Sequence, residues 1–132
     1  MPKITIEIMK GRTIEQKRDI AEAMCATATH YFKVSPENIL MRIDEIDPEE
    51  FFINGNACKD RRTPPDHSCE EDLFITLFYV EGRSIEVLRG FAKEMTEKMS
   101  EMLGISGSGI LIHFIDMRKD RLSRRGLLIC DM

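Results

Sequence analysis

No stretch of the chain approaches the ~20 consecutive apolar residues that a bilayer span requires, although 42% of its 132 residues are hydrophobic. There is no excess of positive charge either. Nineteen basic residues against 23 acidic ones leave a formal charge of −4, which argues against a general nucleic-acid or anionic-membrane binder. A secretory signal is missing, because Glu7 and Lys10 interrupt the first residues MPKITIEIMKGR. Four cysteines are scattered at 25, 58, 69 and 130, and a chain of this length builds a core without staples. Cys58, His67 and Cys69 lie close together in the most polar segment, but their spacing fits no standard zinc pattern and a fourth ligand is missing. The expectation is a loop with free thiols and no metal. A phosphate-binding glycine loop is absent too, since Gly104, Gly107 and Gly109 follow an apolar helix pattern and do not precede one. The expectation from these absences is a small, cytoplasmic, single-domain protein that acts on neither membranes nor nucleic acids.

What the chain does have is a repeat. Shifted by 71 residues, Gly11-Arg12-Thr13-Ile14-Glu15 falls on Gly82-Arg83-Ser84-Ile85-Glu86, and the register holds without a gap. Residues 2–56 against 73–127 give 13 identities, where about 3 are expected by chance. Residues 57–72, with Arg61, Arg62, Pro64 and Pro65, read as the joining segment. In each half an apolar strand pattern comes first. Ile4, Ile6 and Ile8 alternate with polar residues, whereas Leu73–Val80 is almost wholly apolar, as in a strand covered on both faces. A helix follows. Thr13 with Gln16 is a capping-box pair, and Ser84 occupies the equivalent position. The apolar stripe of the second helix runs through Ile85, Leu88, Ala92, Met95, Met99 and Met102; in the first it runs through Ile14, Ala21, Met24, Ala28 and Tyr31. Second strands are expected at 39–46 and 110–117. Strand, helix and strand at this spacing form a βαβ unit with parallel strands and a right-handed crossover. The expected fold is therefore α+β, with two tandem βαβ units making a four-stranded sheet and both helices on one face. The other face would be largely apolar and bare, which implies an oligomer whose subunits cover one another's sheets.

Pro2 at the start, the Gly11-Arg12-Thr13-Ile14-Glu15-Gln16-Lys17-Arg18 run, Pro36-Glu37-Asn38 before a strand and the Phe51-Phe52-Ile53-Asn54-Gly55 hairpin together resemble the 4-oxalocrotonate tautomerase family. The doubled arrangement is similar to fused members of the tautomerase superfamily, whose subunits have the MIF-like β-α-β fold. That resemblance implies a homotrimer and a cofactor-free tautomerase acting on a small carboxylate, such as a 2-hydroxydienoate or an α-keto or enol acid. Pro2 would be the general base and acid once Met1 is removed. An α-amino group with a pKa of about 7.7–8 is roughly one-sixth neutral at pH 7, and apolar surroundings with a nearby arginine raise that fraction. Arg12 and its repeat equivalent Arg83 would hold the carboxylate and the enolate oxygen, with Arg83 facing Pro2 and Arg12 facing Leu73. Phe51 would supply a dry wall.

Two positions depart from the family pattern. Leu73 stands where the second proline would be, so one active site per chain is expected. The family's second arginine falls at Leu40 and at Leu111; Arg42, on the same strand face as Leu40, is the candidate substitute for binding substrate. Two other functions fit the same pattern: a hydratase-like dehalogenase or decarboxylase of small unsaturated acids, and a non-catalytic trimeric binding protein.

Overall fold

The structure, a computed structural model, describes residues 2–53, 55–58 and 72–132. Strand β1 (Lys3–Met9) leads into helix α1 (Ile14–Phe32) and strand β2 (Leu40–Ile46), followed by the short hairpin β3 (Phe52–Ile53) and β4 (Asn56–Ala57). The order is then repeated by β5 (Leu73–Val80), α2 (Ile85–Leu103), β6 (Ile110–Met117) and the hairpin β7 (Ser123–Arg124) and β8 (Leu127–Leu128). The main sheet runs β2-β1-β5-β6. Its outer pairs β1–β2 and β5–β6 are parallel, and the central pair β1–β5 is antiparallel. The joining segment expected at 57–72 falls mostly outside the described residues.

Thr5 pairs directly with Thr76 in the central ladder. The two are also partners at the 71-residue offset, so an approximate two-fold axis passes between them. On the helical layer, the Lys98 Nζ donates to Thr27 Oγ1 at 2.8 Å, and these residues are again 71 apart. Each half thus meets its own copy at the centre of the molecule.

Both helices pack on the face presented by Ile4, Ile6, Ile8, Leu73, Ile75, Leu77 and Tyr79, which are all buried. Local chemistry starts each helix where the capping residues predict. Thr13 and Gln16 form a complete capping box, and Ser84 Oγ accepts from the Val87 N–H. The glycines before them, Gly11 and Gly82, have φ of 118° and 109°, a region that side-chain-bearing residues avoid.

The buried helical stripes are rotated slightly from the expected ones. In α1 the buried residues are Ile20, Met24, Thr27, Ala28 and Phe32; in α2 they are Phe91, Met95, Met99 and Leu103. Ile14 and Ile85, expected in the stripes, are 56% and 54% exposed. Both sit at the first helical position, beyond the edge of the sheet that the later turns cover. Within the chain itself, Leu73–Val80 is covered on one face only. Its odd-numbered residues are buried, while Phe74, Thr76, Phe78 and Val80 remain half-exposed on the side away from the helices.

That second face is less apolar than the sequence suggests. By the ladder register, Leu40, Lys3, Phe78 and Ile115 form one row across it. Arg42, Thr5, Thr76 and His113 form the next, and Asp44, Glu7, Phe74 and Leu111 a third. Apolar side chains dominate on β5 and β6, whereas β1 contributes Lys3, Thr5 and Glu7.

Cysteine is the other departure. Cys25 and Cys130 are free thiols, whereas Cys58 is disulfide-bonded. His67 and Cys69 lie outside the described residues.

Candidate active site

The antiparallel pairing of β1 with β5 decides which of the expected residues can meet. Lys3 lies opposite Phe78, and continuing that register by one residue places Pro2 opposite Tyr79. Arg83 follows β5 by three residues and therefore stands at the same end of the sheet as Pro2. Pro2 is buried, and its carbonyl accepts from the Leu40 N–H at 3.1 Å, which ties the residue before β1 to the first residue of β2.

Helix α1 starts at the far end of the sheet and returns, so its last residue, Phe32, also comes to the Pro2 end. Phe32 is fully buried, with its ring 5.3 Å from that of Tyr79 and 5.5 Å from that of Phe91. The Arg83 guanidinium carbon lies 5.6 Å from the centroid of the Phe32 ring. Arg83 makes no hydrogen bond or ion pair with the described residues. A half-buried cation resting only on an aromatic face is the most reactive-looking feature of this end, because its N–H donors are available to an anion.

Tyr79 adds to the same environment. It is 2% exposed, and burial pushes its phenol up to about 12, with the facing Asp116 carboxylate adding to the shift. The hydroxyl therefore stays protonated at any physiological pH. Beyond Val80 the C-terminal hairpin closes over an apolar hollow of about 190 Å³ lined by Val80, Leu122, Ser123, Arg124, Ile129 and Met132.

The remaining expected residues are placed elsewhere. Arg12 lies at the opposite end of the sheet, where its Nη1 donates to the Leu103 carbonyl at 3.3 Å. With Met9, Lys10, Gly11 and Gln16 it lines a polar hollow of about 180 Å³. Nearby, Lys17 pairs with Glu45 and holds that carboxyl below the usual range. Phe51 is at this far end too, with its ring 5.7 Å from that of Phe74. At ~3.3 Å per strand residue, Arg12, beyond the last residue of β1, is more than 20 Å along the sheet from Pro2, and Phe74, on which Phe51 packs, faces Glu7, roughly 16 Å from Pro2. Within one chain neither can touch a substrate held at Pro2. Arg42 lies closer, two residues beyond Leu40 on β2, where it lines a shallow hollow with Lys3, Ile4, Leu40 and Met41. Its Nε donates to Asp44 Oδ2 at 3.1 Å, and it is largely exposed.

Sequence reasoning missed Phe32 and Tyr79. A signal was available in the repeat itself: the equivalents of these aromatics are Leu103 and Ile8, so the two ends are built differently where the halves diverge.

A family model described as tautomerase enzyme matches residues 2–61. A probable tautomerase of Bacillus cereus is 31% identical over 61 residues, which span 46% of this chain and all of that protein. The chain belongs to the tautomerase family. The 2-hydroxymuconate tautomerase of Bacillus subtilis is 30% identical over 60 residues, covering 46% of this chain and 97% of its own length. As a tautomerase the chain is an isomerase-class enzyme. Its doubled architecture matches that of native fused 4-OT with a TM-score of 0.86 at 12% identity, over 98% of each chain. The same fold is shared with structures of other enzymes. A member of the cis-3-chloroacrylic acid dehalogenase family has a TM-score of 0.76 at 12% identity, covering 96% of this chain and 82% of its own. A malonate semialdehyde decarboxylase has a TM-score of 0.71 at 22% identity, covering 91% of this chain and 86% of its own.

Proposed function

We propose that this tautomerase works without a cofactor as a homotrimer, using the amino-terminal nitrogen of Pro2 as the proton carrier and Arg83 as the carboxylate anchor. The substrate class is a small 2-hydroxydienoate or α-keto/enol acid. The observation that carries the proposal is the placement of Arg83, a cation without a hydrogen-bonding or ionic partner among the described residues, at the buried end of the sheet that holds Pro2.

The chemistry follows from those two groups. Removal of Met1 turns the Pro2 nitrogen into a secondary amine with a pKa near neutrality, and its buried position favours the uncharged form. Arg83 pairs with the substrate carboxylate, which fixes the acid and draws electron density toward that end. The neutral amine takes the proton from the enol oxygen as the C2–O bond becomes a carbonyl. The resulting prolinium returns a proton to a carbon of the conjugated chain. Atoms and charge balance over the cycle, so no redox partner or metal enters. Leu73 carries an amide nitrogen and cannot perform this step, which leaves one base per chain. Arg12, Arg42 and Phe51 take part at Pro2 only if a neighbouring copy brings them there.

A second reading is favoured by Asp116, which pairs with Tyr79 in the β5–β6 ladder, one residue beyond the Lys3–Phe78 pair of the β1–β5 ladder. With prolinium as the acid, that carboxylate would activate water for addition to a small unsaturated acid.

Intact mass and turnover on one sample separate these. A mass lower by about one methionine, with phenylenolpyruvate ketonised and kcat/KM reduced about 10²- to 10⁴-fold in Pro2→Ala, is the expected result. Turnover of 3-chloroacrylate alone would select the water-adding reaction. A retained Met1 with no turnover of either acid would leave only a binding protein.

A further inference from the structure

The two arginines at the ends of the sheet are repeat partners, and so are the residues they touch. Arg12 and Arg83 are 71 residues apart, as are Phe32 and Leu103, the last residues of α1 and α2. Each arginine reaches across the two-fold to the last residue of the other half's helix. The contacts nevertheless differ in kind. Arg12 donates to the backbone carbonyl of Leu103, an ordinary end for a cation beside a helix C-terminus. Arg83 lies over the side-chain ring of Phe32 and donates to no described residue.

Resting on the proposal above, we infer that Phe32 is a positioning residue for the substrate carboxylate: its ring holds the Arg83 cation at the Pro2 end without consuming the N–H donors that must receive the acid. The ring attracts the cation through its quadrupole and leaves the hydrogen-bonding capacity of the guanidinium unspent. A leucine offers no such face, and at the Leu103 end the guanidinium bonds the carbonyl. Phe32 is a rigid platform because it is fully buried and wedged between Tyr79 and Phe91. Half-buried cations usually acquire an anionic or carbonyl partner, since desolvation without one is unfavourable. An aromatic floor compensates part of that cost and keeps the group ready for a charged ligand.

The repeat supplies a substitution suited to the fold, because leucine already occupies the equivalent place in the second half. Phe32→Leu, Phe32→Tyr and Arg83→Ala are compared with the wild type in two measurements. One is KM and kcat with phenylenolpyruvate; the other is the calorimetric Kd of cinnamate, an unreactive aryl carboxylate. Thermal melts report on folding in parallel. The expected result is a rise of about 3- to 30-fold in KM and in Kd for Phe32→Leu, with kcat per active site changed less. Phe32→Tyr, which keeps the ring face, restores both. A Phe32→Leu protein with unaltered KM and Kd overturns the inference, as does a loss confined to kcat that tracks a lowered melting temperature. Absence of cinnamate binding by the wild type also overturns it. In that case the turnover of Pro2→Ala against wild type still shows separately whether the proline reaction stands. Unchanged KM and Kd in Arg83→Ala would instead remove Arg83 from the proposed site.

Discussion

At the scale of single residues, the most consequential side chains of the Pro2 end are defined by what surrounds them. Pro2, Phe32 and the Tyr79–Arg83 segment come from three separate stretches of sequence, and only the β1–β5 register and the return of α1 bring them together. Tyr79 provides a test by pH. Its phenol titrates near 10 in an unfolded chain and is pushed up to about 12 in the folded one, mainly by burial. Between about pH 10 and 12 the unfolded chain releases this proton while the folded chain keeps it. Stability from this group is therefore intact below pH 10 and falls as the pH rises through that window. Denaturant titrations from pH 8 to 11.5 should show a steeper alkaline loss in wild type than in Tyr79→Phe. Equal slopes would mean that the hydroxyl is not shielded.

At the scale of elements, the two halves use the same plan with different residues at the points of strain. Both helices end in a left-handed residue at equivalent positions: Gly104 with φ 65° after α2, and Lys33 with φ 55° after α1. Glycine adopts that conformation without steric cost, whereas a residue with a Cβ is disfavoured by roughly 1 kcal/mol. Lys33→Gly is therefore expected to stabilise the protein by about 1 kcal/mol, read as a higher midpoint in urea. A lower midpoint would show that the lysine side chain contributes more than its backbone costs. The helix starts were legible in advance because Thr13, Gln16 and Ser84 act within one turn of chain. The exact buried stripes were not. Which of several adjacent apolar residues faces inward depends on where the sheet ends, and so Ile14 and Ile85 came out exposed while Ile20 and Phe91 are buried.

At the scale of the whole molecule, the proposed trimer is expected to form through the face of the sheet opposite the helices. Phe74 and Phe78 remain half-exposed there, and Leu40 and Leu111, on its outer strands, are 55% and 60% exposed. Apolar area of this kind in a β-sheet is usually covered by another subunit. Lys3, whose ammonium lies 6.0 Å from the Phe78 ring centroid, and the Arg42–Asp44 pair make the covering surface mixed in character. If the trimer is built through this face, Phe78→Glu will place an unpaired charge in it. Sedimentation should then shift from trimer to monomer, with turnover falling alongside if neighbouring copies complete the site. A variant that still sediments as a trimer would locate the contacts elsewhere.

By itself the sequence determined the order of the elements, their caps and the 71-residue doubling. All of these depend on residue type, short spacing or self-similarity, which are one-dimensional properties. The division of the remaining candidates was decided by tertiary structure. Arg12 and Arg83 look equivalent along the chain, yet the antiparallel junction of β1 and β5 sends them to opposite ends of the sheet. The same junction carries Phe51 away from Pro2 and brings Phe32 and Tyr79 toward it. Strand direction and register are set by which faces the two halves can bury against each other. Such a choice is made by the folded surface as a whole and is written in no single segment.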